Sequence, residues 1–412
     1  MRFSVKTMML GAAAAALMTT SALAGTITIN TDTSDPGPKG AFKYAIDAFQ
    51  KANPDVKVKW NVFDHEGFKS AIRNFLTADA PDVVTWYSGN RMLPFVDAHL
   101  FADISDLWSE NDLDSQLKSA KSAVSANGKQ WAIPYSYYPW AIYYRKDIFE
   151  KQGIEPPKTW DDLLADCKKL SDAGITPFAI GTKALWPAAG WFDYLDLRTN
   201  GYAFHMKLTQ GEVPYTDERV KKVFENWAQL VKPGYFTKNA AALDWQDAVP
   251  LFVQGKAAMY LMGNFAVDVM KNAGLDESKV GFVSFPTINK DVPRAEDAPT
   301  EMVAMAANAS NKEDARKFMA FIAKPETQAK MNDILGQLPV NSQSKIADDP
   351  LLQQGAKMLS SASNLSQFYD RDAPAQMAKA GMEGFQQFMA QPDQIDQILQ
   401  RLESVRKRVY SN

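Results

Sequence analysis

The stretch AIPYSYYPWAIYYRKD, Ala132 to Asp147, gathers five tyrosines and a tryptophan around Pro139. NGKQWAIPY reads as a turn leading into one strand, and AIYYRKD as another. Aromatic residues favour strands and carry much of the burial in a core. Tyr and Trp also present a flat apolar face with a hydrogen-bonding tip, which suits a ligand platform. Tyr143 and Tyr144, inside the second run, read as core. Tyr138 and Trp140, beside Pro139, stay open to either role.

On both sides of this stretch the pattern alternates strands and helices, the signature of an α/β fold. TITIN (Thr26 to Asn30) reads as a strand, AFKYAIDAFQKANP as a helix stopped at Asn53-Pro54, and VKVKWNVF as a second strand. A helix through Phe75 and Leu76 follows, then the buried strand PDVVTW and the loop YSGN. Such units predict mostly parallel sheets with ligands beyond the strands' carboxyl ends. The loops at Asp32, His65 and Trp86 to Asn90 are then neighbours. Downstream, Thr159 reads as the N-cap of a helix with Asp161 and Asp162 in its first turn. Trp186 to Val231 and the chain from Asn311 onward read as helical.

MRFSVKTMMLGAAAAALMTTSALA carries Arg2 and Lys6, then an apolar run, then Ala22-Leu23-Ala24. That predicts a secretory signal peptide cut after Ala24, and a periplasmic mature chain. Its loss takes the net charge from −3 to −5, which argues against a nucleic-acid or anionic-membrane surface. No run reaches the ~18 apolar residues of a membrane helix. The only cysteine, Cys167, lies far from the cleavage point, so it cannot serve as a lipidated N-terminus. It falls between Leu163 and Leu170 at helical spacing and reads as a core thiol. At 412 residues, two domains are expected.

Catalytic motifs are absent: there is no G-x-S-x-G, H-E-x-x-H or P-loop. With three His and one Cys, a zinc cluster or a Cys-His pair has little material. Acidic pairs such as Asp244 and Asp247 are expected by chance among 48 Asp and Glu. The aromatics are more telling, because Trp86, Trp140, Trp186 and Trp191 fall where strands run into loops or bracket WPAAGW. A sugar offers an apolar C–H face ringed by hydroxyls, so it calls for an aromatic platform with polar side chains around it.

The order PDVV, WAIPYSYYPWAIYYRKDIFEKQGIEPPKTWDDLL, LFVQGKAAMYLMGNFAVD and GQLPVN resembles the family 1 extracellular solute-binding proteins. These are the maltose-binding-protein-like receptors of ATP-binding-cassette importers. The resemblance implies a two-lobed, Venus-flytrap fold of type II, each lobe a mostly parallel sheet flanked by helices, closing on its ligand at a hinge. It places an N-terminal lobe at 25–135 and 286–340, and a C-terminal lobe at 136–285 completed by helices at 341–412. Carried over by motif, Trp140 and Trp186 are stacking residues, and the G-N-aromatic turn contributes Asn264 and Phe265. PTEM stands where many relatives have a Gly-Gly pair, so Thr300, Glu301 and Met302 give this pocket a rim of its own.

The expected function is capture of a sugar, glycoside or short oligosaccharide for an inner-membrane permease. The ligand is left unaltered, no cofactor or metal takes part, and the receptor is a monomer. Expected site residues are Trp140, Trp186, Tyr138, Trp191, Trp86 and Phe265 for the aromatic surface, with a polar rim of Asp32, His65, Asn90, Asn264, Glu301, Asp370 and Arg371. Arg371 would either grip an anionic group or pair with Asp370 or Asp372. Two alternatives remain: a ferric-ion receptor using Tyr137 and Tyr138, and a glycoside-cleaving enzyme with two carboxylates across the bond.

Overall fold

A computed structural model describes residues 25–411; the leader and its cleavage after Ala24 lie outside them. The described chain opens with β1 (Gly25–Thr31), α1 (Pro36–Ala52), β2 (Val56–Val62), α2 (His65–Ala78) and β3 (Val83–Tyr87). Pattern decides position here. Of VKVKWNV in β2 only Val56 is buried, and β2 is a sheet edge, whereas VVTWY of β3 is buried throughout and lies inside. α1 begins with Pro36 and buries Phe42, Ile46 and Phe49 at helical spacing. Asp64 caps α2 by accepting from the Gly67 N–H at 2.8 Å.

The aromatic stretch resolves into β4 (Ala132–Tyr137) and β5 (Trp140–Arg145). After them come α3 (Trp160–Asp172), β6 (Thr176–Ala179), α4 (Trp186–Thr199), α5 (Trp245–Val253), β7 (Ala257–Gly263), α6 (Ala266–Asn272) and β8 (Val280–Val283). β9 (Glu296–Asp297), β10 (Thr300–Met305), β11 (Leu365–Ser366) and α7 (Tyr369–Asp372) complete the set that matters for the cleft.

β4 closes the sheet β2-β1-β3-β10-β4, while β5 lies inside a different sheet, β8-β5-β7-β6. Tyr138 and Pro139 are therefore a crossing between lobes. Pro134 is accommodated because β4 is an edge strand whose register against β10 shifts between Glu301 and Met302. The sheets are less parallel than expected. β1 runs parallel to β2 and β3, but β10 is antiparallel to both its neighbours, and β5 is antiparallel to β7 and β8. The reason is that β5 and β10 enter directly from the other lobe, without the helical crossover that makes neighbours parallel.

Each lobe has its own core. One gathers Ile27, Phe42, Trp86, Tyr135, Val303 and Phe318; the other gathers Trp140, Tyr143, Trp191, Tyr260 and Phe385. The split falls between Tyr135 and Tyr138, the chain rejoins the first core along β10, and it ends its contribution there at Val340. Local details follow the sequence. Thr159 and Asp162 form a reciprocal capping box on α3, and Cys167 is fully buried on that helix. Asp244 and Asp247 form a second such box on α5.

Candidate ligand-binding cleft

Between the lobes lies a half-open cavity of about 140 Å³. The first lobe contributes Asp32 beyond β1, Asp35 ahead of α1, His65 at the start of α2, Tyr87 at the end of β3, and Glu301 on β10. β1 and β3 are parallel, so the loops after them open on one side. The second lobe contributes Trp140, Trp186, Trp245, Phe265 and Asp268, and the segment entering α7 adds Phe368, Asp370 and Arg371.

Trp186, Trp245 and Phe265 pack edge to face, with centroids 5.3 to 6.2 Å apart. Behind them Trp140 meets Trp186 edge-on at 5.9 Å and is covered on a face by Phe368, 4.8 Å away and tilted 29°. Two non-glycine residues beside these rings have positive φ, Leu185 at 68° and Phe368 at 150°. Leu185 centres a γ-turn in which the Trp186 N–H donates to Ala184 O at 2.9 Å. Strain of this kind gathers at ligand clamps.

Asp32 is the hub of the polar side. It accepts from the Thr85 hydroxyl at 2.7 Å and the Tyr87 hydroxyl at 2.6 Å, and lies 3.3 Å from His65 Nδ1. Burial alone would raise its carboxyl, but the bond and charge of His65, with the Tyr87 and Thr85 hydroxyls, hold it well below the usual range. Asp35 behaves oppositely: burial pushes it up, the charges of Asp268 and Asp32 add to that, and His65 opposes. Burial lowers the Lys69 ammonium, countered by Glu66 at 3.0 Å.

Bonds cross the cleft on several sides. Tyr138 donates to Glu301 Oε1 at 3.0 Å, and Arg371 donates to the same oxygen at 2.8 Å. The Gly37 N–H, at the start of α1, donates to Asp268 at 3.0 Å, and Asn264 Nδ2 donates to Gly336 O at 2.7 Å. An acid at a helix N-terminus is favoured by the helix dipole, so Asp268 latches one lobe to the other. Asp268→Ala is expected to weaken ligand affinity about tenfold, the size of one charged hydrogen bond. Titration calorimetry with small-angle scattering tests it: affinity and radius of gyration both unchanged would remove the latch.

Nine of the expected residues meet at this cavity: Asp32, His65, Tyr138, Trp140, Trp186, Phe265, Glu301, Asp370 and Arg371. Four do not. Trp191 is fully buried in the second core against Phe178, Phe236 and Phe285, because five helical residues from Trp186 turn it ~140° away. Trp86 points into the first core and donates to Arg91 O at 2.9 Å; along β3 it is the next residue, Tyr87, that faces the cavity. Asn90 is spent on Asp372 O at 2.6 Å, and Asn264 on the lobe-to-lobe bond. Arg371 takes neither expected partner. It pairs with Glu301, while Asp370 pairs with Arg91 at 2.7 Å. Tyr137 and Tyr138 do not converge either, since Tyr137 pairs with Leu338 outside the cavity and burial raises both phenols away from a metal-binding phenolate.

Sequence reasoning missed Asp35, Lys69, Tyr87, Tyr135, Trp245, Asp268, Gln337 and Phe368. Strand parity would have exchanged Trp86 for Tyr87, and the capping signal at Asp244 would have put Trp245 at a helix start. Nothing local marks Phe368 or Asp268.

Residues 33–329 match the family model of the bacterial extracellular solute-binding proteins. The chain is 31% identical over 336 residues to an uncharacterized ABC transporter extracellular-binding protein of Pyrococcus horikoshii, covering 79% of this chain and 74% of that one. It is 26% identical over 331 residues to the maltotriose-binding protein of Pyrococcus abyssi, covering 77% and 68%. Among solved structures, the bacterial solute receptor AcbH, described as having an exclusive preference for β-D-galactopyranose, superposes with a TM-score of 0.88 at 30% identity, over 94% of this chain and 100% of that one. A chitin oligosaccharide binding protein shares the fold at a TM-score of 0.85 and 17% identity, over 94% and 99%.

Proposed function

The chain belongs to the bacterial extracellular solute-binding proteins, and from that we propose that its solute is a carbohydrate. The observation that carries this is the make-up of the cleft: Trp186, Trp245 and Phe265 form an apolar floor, and opposite them stand Asp32, Glu301 and Gln337. Sugars have one apolar face and a ring of hydroxyls, so they match such a site. Asp32, His65, Tyr138, Glu301, Asp370 and Arg371 make up the polar rim in this reading, with Trp186 and Phe265 as floor and Trp140 behind them. The names of the relatives point the same way, to maltotriose and β-D-galactopyranose.

In mechanism the ligand favours the closed arrangement because only there do both lobes touch it. Micromolar binding needs about −8 kcal/mol, within reach of three aromatic contacts and several hydrogen bonds. The mature protein works in the periplasm after cleavage at Ala24, as a monomer. It hands the ligand, chemically unchanged, to an ATP-binding-cassette permease.

A thermal-shift screen of the purified mature chain tests the reading, since a ligand that binds only the folded form raises the melting temperature by mass action. A sugar pool is expected to stabilise, and the recovered sugar to be intact by mass spectrometry. Stabilisation by amino-acid, polyamine or metal pools alone would refute it.

A further inference from the structure

Resting on the carbohydrate reading, we infer that the site selects one uncharged pyranose ring and rejects both oligosaccharides and anionic sugars. Size argues first. The cavity, about 140 Å³, is close in volume to an engineered protein cavity that takes up one benzene ring. A second ring would have to extend out of it toward solvent.

The mouth offers it no platform. A chain of sugars needs successive stacking surfaces, whereas here the rings crowd one spot: Trp140, Trp186 and Trp245 each lie within 6.3 Å of Phe265. The Trp140 face that a second ring would need is taken by Phe368 at 4.8 Å. The bonds from Gly37 to Asp268, from Asn264 to Gly336 O and from Tyr138 to Glu301 also join the lobes at three separate places around the cavity.

Charge argues second. Arg371 gives one nitrogen to Thr300 O at 2.7 Å and the other to Glu301 and the Tyr138 hydroxyl, so its paired face is already engaged. Lys69 is held by Glu66 at 3.0 Å. Against Lys69, Arg371 and the His65 imidazole the wall sets the carboxylates of Asp32, Asp35, Asp268, Glu301 and Asp370, of which only Asp370 has a further guanidinium, Arg91 at 2.7 Å. A sulfonate or carboxylate on the ligand would meet net negative charge with no free guanidinium to receive it. Hydroxyl donors are what this wall accepts.

Titration calorimetry on the mature chain should compare galactose, glucose and xylose with lactose, maltotriose and xylobiose, and with galacturonate and a 6-sulfonated glucose. At least one neutral monosaccharide is expected to bind about 100-fold more tightly than any oligosaccharide or anion tested. An oligosaccharide bound as tightly as the best monosaccharide would overturn the size argument, and a uronate or sulfonate bound as tightly would overturn the charge argument. Either outcome leaves the carbohydrate reading standing. Binding of none of these sugars, with a non-carbohydrate solute bound instead, would sink both.

Discussion

Trp140→Ala is expected to lower stability by about 3–5 kcal/mol, the cost of emptying a large aromatic site in a core. Trp140 is only 2% exposed. Its ring is walled by Trp186, Phe265 and Phe368, and it lies so close to α4 that a Cβ on Gly190 would stand 2.6 Å from it. The glycine is what lets the helix pass under the indole. The Tyr194 hydroxyl also donates to the Trp140 carbonyl at 2.5 Å, fixing the strand where it leaves the crossing. Trp186 differs: at 8% exposure it lies at the first turn of α4, on the cavity wall. Trp186→Ala should therefore cut ligand affinity more than stability, whereas Trp140→Ala should do the reverse. Denaturant titration and calorimetry on both variants separate the roles, with Trp140→Phe as the conservative control. A Trp140→Ala protein as stable as the parent would show that the indole does not hold the lobe together.

That contrast shows how far the sequence could be read. The alternation of strand and helix, the capped helices and the aromatic strands each left a local signal, and those signals sufficed for two α/β lobes. Facing direction within an element was less legible. Trp86 and Tyr87 are neighbours on one strand, and only the sheet's packing tells which of them looks into the cleft. Long-range pairing left no trace at all: Arg371 meets Glu301 across 70 residues, and Gly37 meets Asp268 across 231. Parallel pairing holds for β1 with β2 and β3 and for β6 with β7, and gives way at β5 and β10 for a related reason, since their direct entry from the other lobe is a property of the chain's route and not of any segment's composition.

The same route creates the largest expected pH effect. β9 and β11 pair where the chain passes between lobes, and Asp297 of β9 is fully buried there. Its Oδ1 receives the Ser366 hydroxyl, but its Oδ2 and the Oδ1 of Asp193 have no partner. Asp193 Oδ2 accepts from the Tyr369 N–H at 2.7 Å, His205 bonds Asp196 at 3.0 Å, Arg198 serves Glu296 at 2.8 Å, and Asp372 accepts from the Gln367 and Phe368 N–H groups. His205 Nε2 stands 3.8 Å from Asp193 Oδ1, but no arginine or lysine pairs with Asp193 or Asp297 among the described residues. Burial pushes Asp297 up to about 7 against the Ser366 hydroxyl and the His205 charge, with Asp372 and Glu296 adding to the rise, and burial with the Asp297 charge raises Asp193 as well. A carboxyl raised on folding holds its proton in the native state while the unfolded chain has already lost it, so stability is greatest below about pH 4 for this group and declines as pH climbs through about 7. Asp297→Asn keeps the shape and removes that ionisation. It should raise the melting temperature at pH 8, by a stability gain of at most about 4 kcal/mol, and by less than half as much at pH 5. Melting curves of parent and variant across pH 5 to 8 decide the matter: a constant offset at every pH would mean that Asp297 does not titrate in this window and that the buried acids at the crossing are neutralised in another way.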